Sequence, residues 1–222
     1  MLLLAADTSG KLGSIALAQC GSDGECKILE VVELTGGTFS AQLVPQIMAV
    51  LRKHGFGKND IDALAVASGP GSFTGLRVGL AVIKALAEVL GKPIAAVSLL
   101  EAVAAAVEVD GRAFAALDAG RGEIYVGQAG GEALVPSSER LLTKEEFLSA
   151  AEGSVIVTPD KPVADAATAA GLRVHEVERP RSDAIARIGW RKIQSGQTTS
   201  AEALDANYIR RSDAEIFGKT SG

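Results

Sequence analysis

Histidine is scarce in this chain of 222 residues, with only His54 and His175 present. Neither stands at ligand spacing from another donor, and neither lies near a signature serine. A histidine-based metal centre and a Ser–His–Asp system are both excluded on that ground. Cysteine is equally rare. Cys20 and Cys26 are separated by five residues, which is neither zinc-pair nor redox-pair spacing. They are expected as inert, reduced thiols. Positive charge is also short, with 22 Lys and Arg against 27 Asp and Glu for a formal net charge of −5. Such a chain lacks the clustered basic face by which a protein grips nucleic acid unaided. No apolar run approaches the ~20 residues that span a bilayer. The opening MLLLAADTSG reaches Asp7 too soon for a secretory h-region. A cytoplasmic protein that avoids membranes is expected.

What is present is an ordinary globular balance, 47% hydrophobic and 22% charged. The order of elements repeats. Apolar strands at 2–6, 13–19 and 28–34 precede a helix over 39–54, a strand at 63–67, a helix over 75–90 and a strand at 94–97. Ser98 and Glu101 then form a capping box that opens a further helix. The pattern restarts with strands at 113–117, 123–128 and near 133–135. Thr143 and Glu146 cap the next helix. Strand 155–157, helix 163–170, strand 172–177 and helix 183–194 follow. Both halves read βββαβαβα, and AADTSGKLGSIALAQ aligns loosely with ALDAGRGEIYVGQAG, so internal duplication is the simplest account. Strands joined by tight turns pair antiparallel, and strands joined through helices pair parallel. The fold class is α/β, with two ribonuclease-H-like lobes of the actin, hexokinase and Hsp70 superfamily. The lobes are placed at 1–108 and 109–222. The last helix, about 183–195, is free to pack back on the first.

Two stretches invite a functional reading. Asp7, Thr8 and Ser9 turn the first strand into the second, where an aspartate either orients a metal-bound water and phosphate or caps its own turn. Asp118 has the same two readings. SGPGSFTGLRVGL, residues 68–80, is a glycine-rich turn running into a helix. It lacks the lysine of a phosphate-binding P-loop and the spacing of a dinucleotide fingerprint, while Ser72 and Thr74 are ready N-caps. Asp7, Thr8, Gly71 and Ser72 are the residues a nucleotide would meet.

The helix that follows is apolar over two flanks. Val78, Val82, Ala85, Leu86 and Val89 lie on one, and Leu76, Leu80, Ile83, Ala87 and Leu90 on the other. A polar stripe of Arg77, Ala81, Lys84 and Glu88 separates them. Helix 39–54 is also broad, with Phe39, Leu43, Val44, Ile47, Met48, Val50 and Leu51. Two such rods, each ~24 Å long, carry several hundred Å² of apolar surface, the order of size that marks an interaction site. Core helices and a dimer or heterodimer face are both open readings. The expected contact residues are Phe39, Leu43, Ile47, Leu51, Leu76, Val78, Leu80, Val82, Ile83, Leu86 and Val89. Arg179, Arg181, Arg187, Arg191 and Lys192 form a basic group near the last helix, read as a solvated face or an RNA contact. Arg210 and Arg211 follow Tyr208.

GPGSFTGLRVGL, with LLAADTS, VSLLEAVA, ALDAGRGEIYVG and ANYIRR, resembles the bacterial TsaB (YeaZ) family. The resemblance runs over nearly the whole chain and is loosest at 129–180. It implies a non-catalytic partner of the related transferase TsaD in making threonylcarbamoyladenosine beside the anticodon of tRNAs that read codons beginning with A. The ATPase TsaE acts with them, and tRNA is met through the complex. The resemblance also implies contact through the two helices above, with TsaD or, in its absence, as a homodimer. It implies no catalytic residue, no metal and no resident cofactor, beyond weak or partner-dependent ATP or ADP with Mg. TsaD carries a histidine pair on the earlier helix, whereas Thr38 to Pro45 here holds none, and Phe39 replaces a histidine common in TsaB. Gly120 stands where the family often has a basic residue. The alternatives are an ATP-dependent kinase or ATPase of the same superfamily and a zinc peptidase.

Overall fold

In a computed structural model of the chain, residues 1–129, 139–207 and 209 are described. The chain forms two compact units. One comprises Met1–Ala102 with Pro180–Ala206, and the other is built on Val103–Arg179 and the segment from Asn207. The chain thus returns to its first unit for the last helix, and the division falls at 102/103 where the sequence suggested 108/109.

The first unit is a five-stranded sheet in the order β3-β2-β1-β4-β5. Its strands are β1 (Leu2–Asp7), β2 (Leu12–Cys20), β3 (Cys26–Thr35), β4 (Ala63–Gly69) and β5 (Ile94–Ser98). β1 to β3 pair antiparallel, and β1, β4 and β5 pair parallel. Helices α1 (Phe39–Lys53) and α2 (Phe73–Leu90) connect them, and α3 (Leu99–Ala104) follows. Every residue of β1 and β4 is buried. This explains their unbroken apolar run, since a strand covered on both faces has no polar side to alternate with. α2 lies against β1 and β4 while α6 (Ser182–Gln194) lies against β1, β2, β4 and β5. α6 comes close enough that a Cβ on Gly189 would stand 2.5 Å from the Ala65 Cβ, so the approach requires glycine.

The second unit repeats the order as β8-β7-β6-β9-β10, with β6 (Ala113–Gly120), β7 (Glu123–Ala129), β8 (Glu139–Thr143), β9 (Val155–Thr158) and β10 (Arg173–Glu176). Antiparallel and parallel pairings recur in the same places. The strand expected near 133–135 lies outside the described residues, and β8 pairs at 139–143. Phe114, Phe147, Ile156 and Val126 centre the core between this sheet, α4 (Lys144–Ala150) and α5 (Lys161–Ala169). Thr143 and Glu146 form the expected capping box. Two sheets of identical topology, each with helices, are the two ribonuclease-H-like lobes that the repeated pattern predicts.

Two local expectations change. Cys20 and Cys26 are not free thiols: they face each other in the β2–β3 ladder with Cα atoms 4.0 Å apart and are joined by a disulfide. Pairing across a hairpin depends on register, which the spacing alone does not reveal. Glu101, read as part of a cap, is buried and receives Lys192 of α6 at 2.6 Å, while the same ammonium donates to the Ala96 carbonyl at 2.9 Å. This pair ties α6 to the β5–α3 corner.

Removing one member of a largely desolvated ion pair leaves the other charge uncompensated. Glu101→Gln is expected to lower unfolding free energy by about 2 kcal/mol in a urea titration. Glu101→Gln combined with Lys192→Met should recover most of that loss.

Candidate functional site

The first β-turn and the head of α2 are one assembly. The Asp7 Oδ1 atom accepts from the Ser9 amide at 2.9 Å and from the Ser9 hydroxyl at 2.5 Å, so the aspartate closes its own turn. The Thr8 hydroxyl donates to the Gly75 carbonyl at 2.7 Å, and the Ser72 amide donates to the Ser9 carbonyl at 2.7 Å. Asp7, Thr8 and Ser9 are all buried. A Cβ on Gly75 would stand 2.0 Å from the Thr8 carbonyl oxygen, and one on Gly71 would stand 2.5 Å from that of Ser9. The glycines of GPGSFTG therefore let two stretches of main chain touch. Ser72 accepts from the Gly75 amide at 3.3 Å and caps the helix. Of the residues a nucleotide would meet, Gly71 and Ser72 are exposed, while Asp7 and Thr8 are enclosed beneath them. The hydroxyls of Thr8 and Ser9 are bonded within the fold. In the second unit, Asp118 Oδ1 accepts from the Gly120 amide at 2.8 Å, the same turn made again.

The turn aims α2 and sorts its two flanks. Leu76, Leu80, Ile83 and Ala87 are buried in the first unit's own core, as are Phe39, Leu43, Ile47, Val50 and Leu51 of α1. The other flank looks outward. Val89 is 71% exposed and Val44 of α1 is 48% exposed. Val78, Val82, Leu86 and Met48 are half-buried, their bases resting on the core. Of the eleven expected contact residues, Phe39, Leu43, Ile47, Leu51, Leu76, Leu80 and Ile83 lie inside, and Val78, Val82, Leu86 and Val89 are left to the surface. On α1, Val44 is exposed and Met48 half-buried. Pro45 breaks no needed bond, because it and Ala41, whose carbonyl it leaves without an amide, are both on the solvent side.

α1 is held at its C-terminal end by Glu30 of β3, which receives Lys53 at 2.7 Å and His54 at 2.8 Å. Those hydrogen bonds, Lys53 first and then His54, hold the Glu30 carboxyl below its usual range.

Most of the basic group is paired within the chain. Arg179 pairs with Asp160, Arg181 with Glu33 and Asp183, and Arg187 donates to the Cys26 carbonyl. Lys192 is committed to Glu101. Arg191 is exposed. Tyr208, Arg210 and Arg211 lie outside the described residues. Among the described residues, no three His, Cys, Asp or Glu side chains gather as a metal site, and no helix is long and apolar enough to cross a membrane.

The model of the family described as TsaD, tRNA N6-adenosine threonylcarbamoyltransferase, matches residues 32–210. The TsaB protein of Haemophilus influenzae is 38% identical over 58% of this chain and 53% of its own length. The match thus spans about half of that relative. The TsaB protein of Escherichia coli is 28% identical over 96% of each chain. YeaZ from Pseudomonas aeruginosa superposes with a TM-score of 0.71 at 23% identity, covering 93% of this chain and all of that one. The chain belongs to the TsaD family and, within it, to the TsaB (YeaZ) branch.

Two outcomes test this geometry. Gly75→Ala forces the Thr8 main chain away and is expected to cost about 3 kcal/mol of stability by denaturant titration, an overpacking cost. Glu30→Gln is expected to cost up to about 1 kcal/mol near neutral pH. A depressed folded-state pKa stabilises above the unfolded value near 4.5, and the gain is lost as pH falls through the lower folded value. The melting curves of the two proteins should therefore converge on acidification below that range.

Proposed function

We propose that this chain is a non-catalytic subunit in the threonylcarbamoylation of the adenosine next to the anticodon in tRNAs reading codons that begin with A. It acts by docking a TsaD-type transferase on the outer faces of α1 and α2. A TsaE-type ATPase completes the machinery, tRNA is met through the complex, and the site of action is the cytoplasm. A homodimer through the same face is the form in isolation.

The observation that carries this reading is the outward flank of α2 with its neighbour on α1. Among the described residues, Val44 and Val89 are large apolar side chains left substantially exposed, and Met48, Val78, Val82 and Leu86 on the same two helices are half-buried. Apolar surface gathered in this way favours association by the area it removes from water. Membership of the TsaB branch supports the same reading, because its relatives bear the name of threonylcarbamoyladenosine biosynthesis proteins. The stretch of α1 from Phe39 to Pro45 carries no histidine, which fits a partner role better than a transferase role.

Reconstitution of tRNA modification from the TsaD-type and TsaE-type proteins, with and without this chain, tests the function. Omission is expected to abolish the modified nucleoside in digested tRNA; undiminished modification overturns the proposal. Val89→Arg should leave the melting temperature within about 1 °C, as expected of an exposed site, and remove complex formation in light scattering. Leu80→Arg, placed in the core, should unfold the first unit instead.

A further inference from the structure

The docking function makes no use of the hairpin end that carries Cys20 and Cys26. Cys20 spends both of its main-chain groups on Met1: its amide donates to the Met1 carbonyl at 2.9 Å, and its carbonyl accepts from the Met1 ammonium at 2.9 Å. Cys20 and Cys26 are therefore opposed without a ladder bond between them. This is the narrower kind of antiparallel pair, in which side chains stand closest. Their Cα atoms are 4.0 Å apart, so the sulfurs meet without movement of the main chain. Residues 21–25 between them are all exposed, Cys26 is half-buried, and Cys20 is enclosed.

As a staple this bond does little. It links positions only six apart in sequence, and the stabilisation from closing a loop shrinks with the loop. The first unit already has an apolar core of its own. What the bond governs is its surroundings. The Cys26 carbonyl accepts from Arg187 of α6 at 3.2 Å. Gln194, the last residue of α6, donates to the Gly21 and Ser22 carbonyls at 3.5 and 3.4 Å. Beyond the sulfurs the tip is closed by the Gly21 amide on the Glu25 carbonyl at 2.8 Å. The C-terminal half of α6 thus rests on a tip whose closure depends on two sulfur atoms.

A disulfide in a reducing compartment is usually a transient or sensing bond. Resting on the cytoplasmic site of action given above, we propose that Cys20 and Cys26 are a reversible redox couple. Its state sets the order of the β2–β3 tip and of the C-terminal half of α6. The exchange partner is a small disulfide of the glutathione class. Cys26, the more accessible sulfur, attacks it as a thiolate, forming a mixed disulfide and expelling one small thiolate. The Cys20 thiolate then attacks the Cys26 sulfur, and the second small thiolate leaves. Two protein thiols become one disulfide, one small disulfide becomes two thiols, and the protons pass from the protein sulfurs to the released ones. Reduction runs the same steps backwards.

The experiment equilibrates the purified full chain in glutathione buffers from fully reduced to fully oxidised, traps the thiols by alkylation and reads the intact mass. Dithiol and disulfide forms are both expected, interconverting across the series. Hydrogen exchange should then show amides of 19–27 and 187–194 exchanging about tenfold faster in the dithiol form, with α2 and the second unit unchanged. In Cys20→Ser combined with Cys26→Ser, the same amides should exchange at the dithiol rate in every buffer. A chain locked in one state throughout the series overturns the proposal. So does exchange at 187–194 that ignores the state of the sulfurs, or a double variant that still responds to the buffer. None of these results touches the docking function, because no partner is present in either measurement.

Discussion

The seat of α2 on the first β-turn is the constraint from which the rest of the candidate site follows. Main chain meets main chain there, with Ser72 bonded to the Ser9 carbonyl and the Thr8 hydroxyl bonded to Gly75. Only residues without a Cβ allow that approach. Because the helix is held at its head by these contacts, its rotation about its own axis is set there. That rotation sends Leu76, Leu80, Ile83 and Ala87 inward and leaves Val78, Val82 and Val89 outward. A glycine-rich turn before a helix is often a phosphate cradle. In this chain the Ser72 amide and the Thr8 hydroxyl are used to bind the turn to the helix.

Much of the fold was legible in the sequence because its signals are local. Short apolar runs gave the strands, the aspartate turns gave the hairpins, and Thr143 with Glu146 gave a helix start. The repeated order gave two lobes of one topology. What escaped was information that belongs to register and tertiary contact. Cys20 and Cys26 looked unrelated because their pairing depends on how β2 meets β3. Glu101 looked like a capping residue because its partner, Lys192, is ninety-one positions away along the chain. The basic group near α6 was read as one surface, and four of its five members answer to Asp160, Glu33, Asp183, Glu101 and a carbonyl.

The candidate site was half legible, and the missing half has a physical cause. Periodicity revealed that α2 is apolar on two flanks. It could not say which flank meets the sheet, because a side chain facing its own core and one facing a partner have the same composition. Leu80 and Val82 are equivalent by that measure, and only the seat of the helix separates them.

The return of the chain to its first unit at Pro180 has a consequence for biosynthesis. β1, β2, β4 and β5 are made early, but the helix that roofs one side of that sheet ends at Gln194. During vectorial synthesis the sheet must wait, greasy side uncovered, while the second unit is translated and assembled. The early half of the protein is thus the last to be completed, and a ribosome stalled anywhere between the two would hold a nascent chain ripe for capture by chaperones.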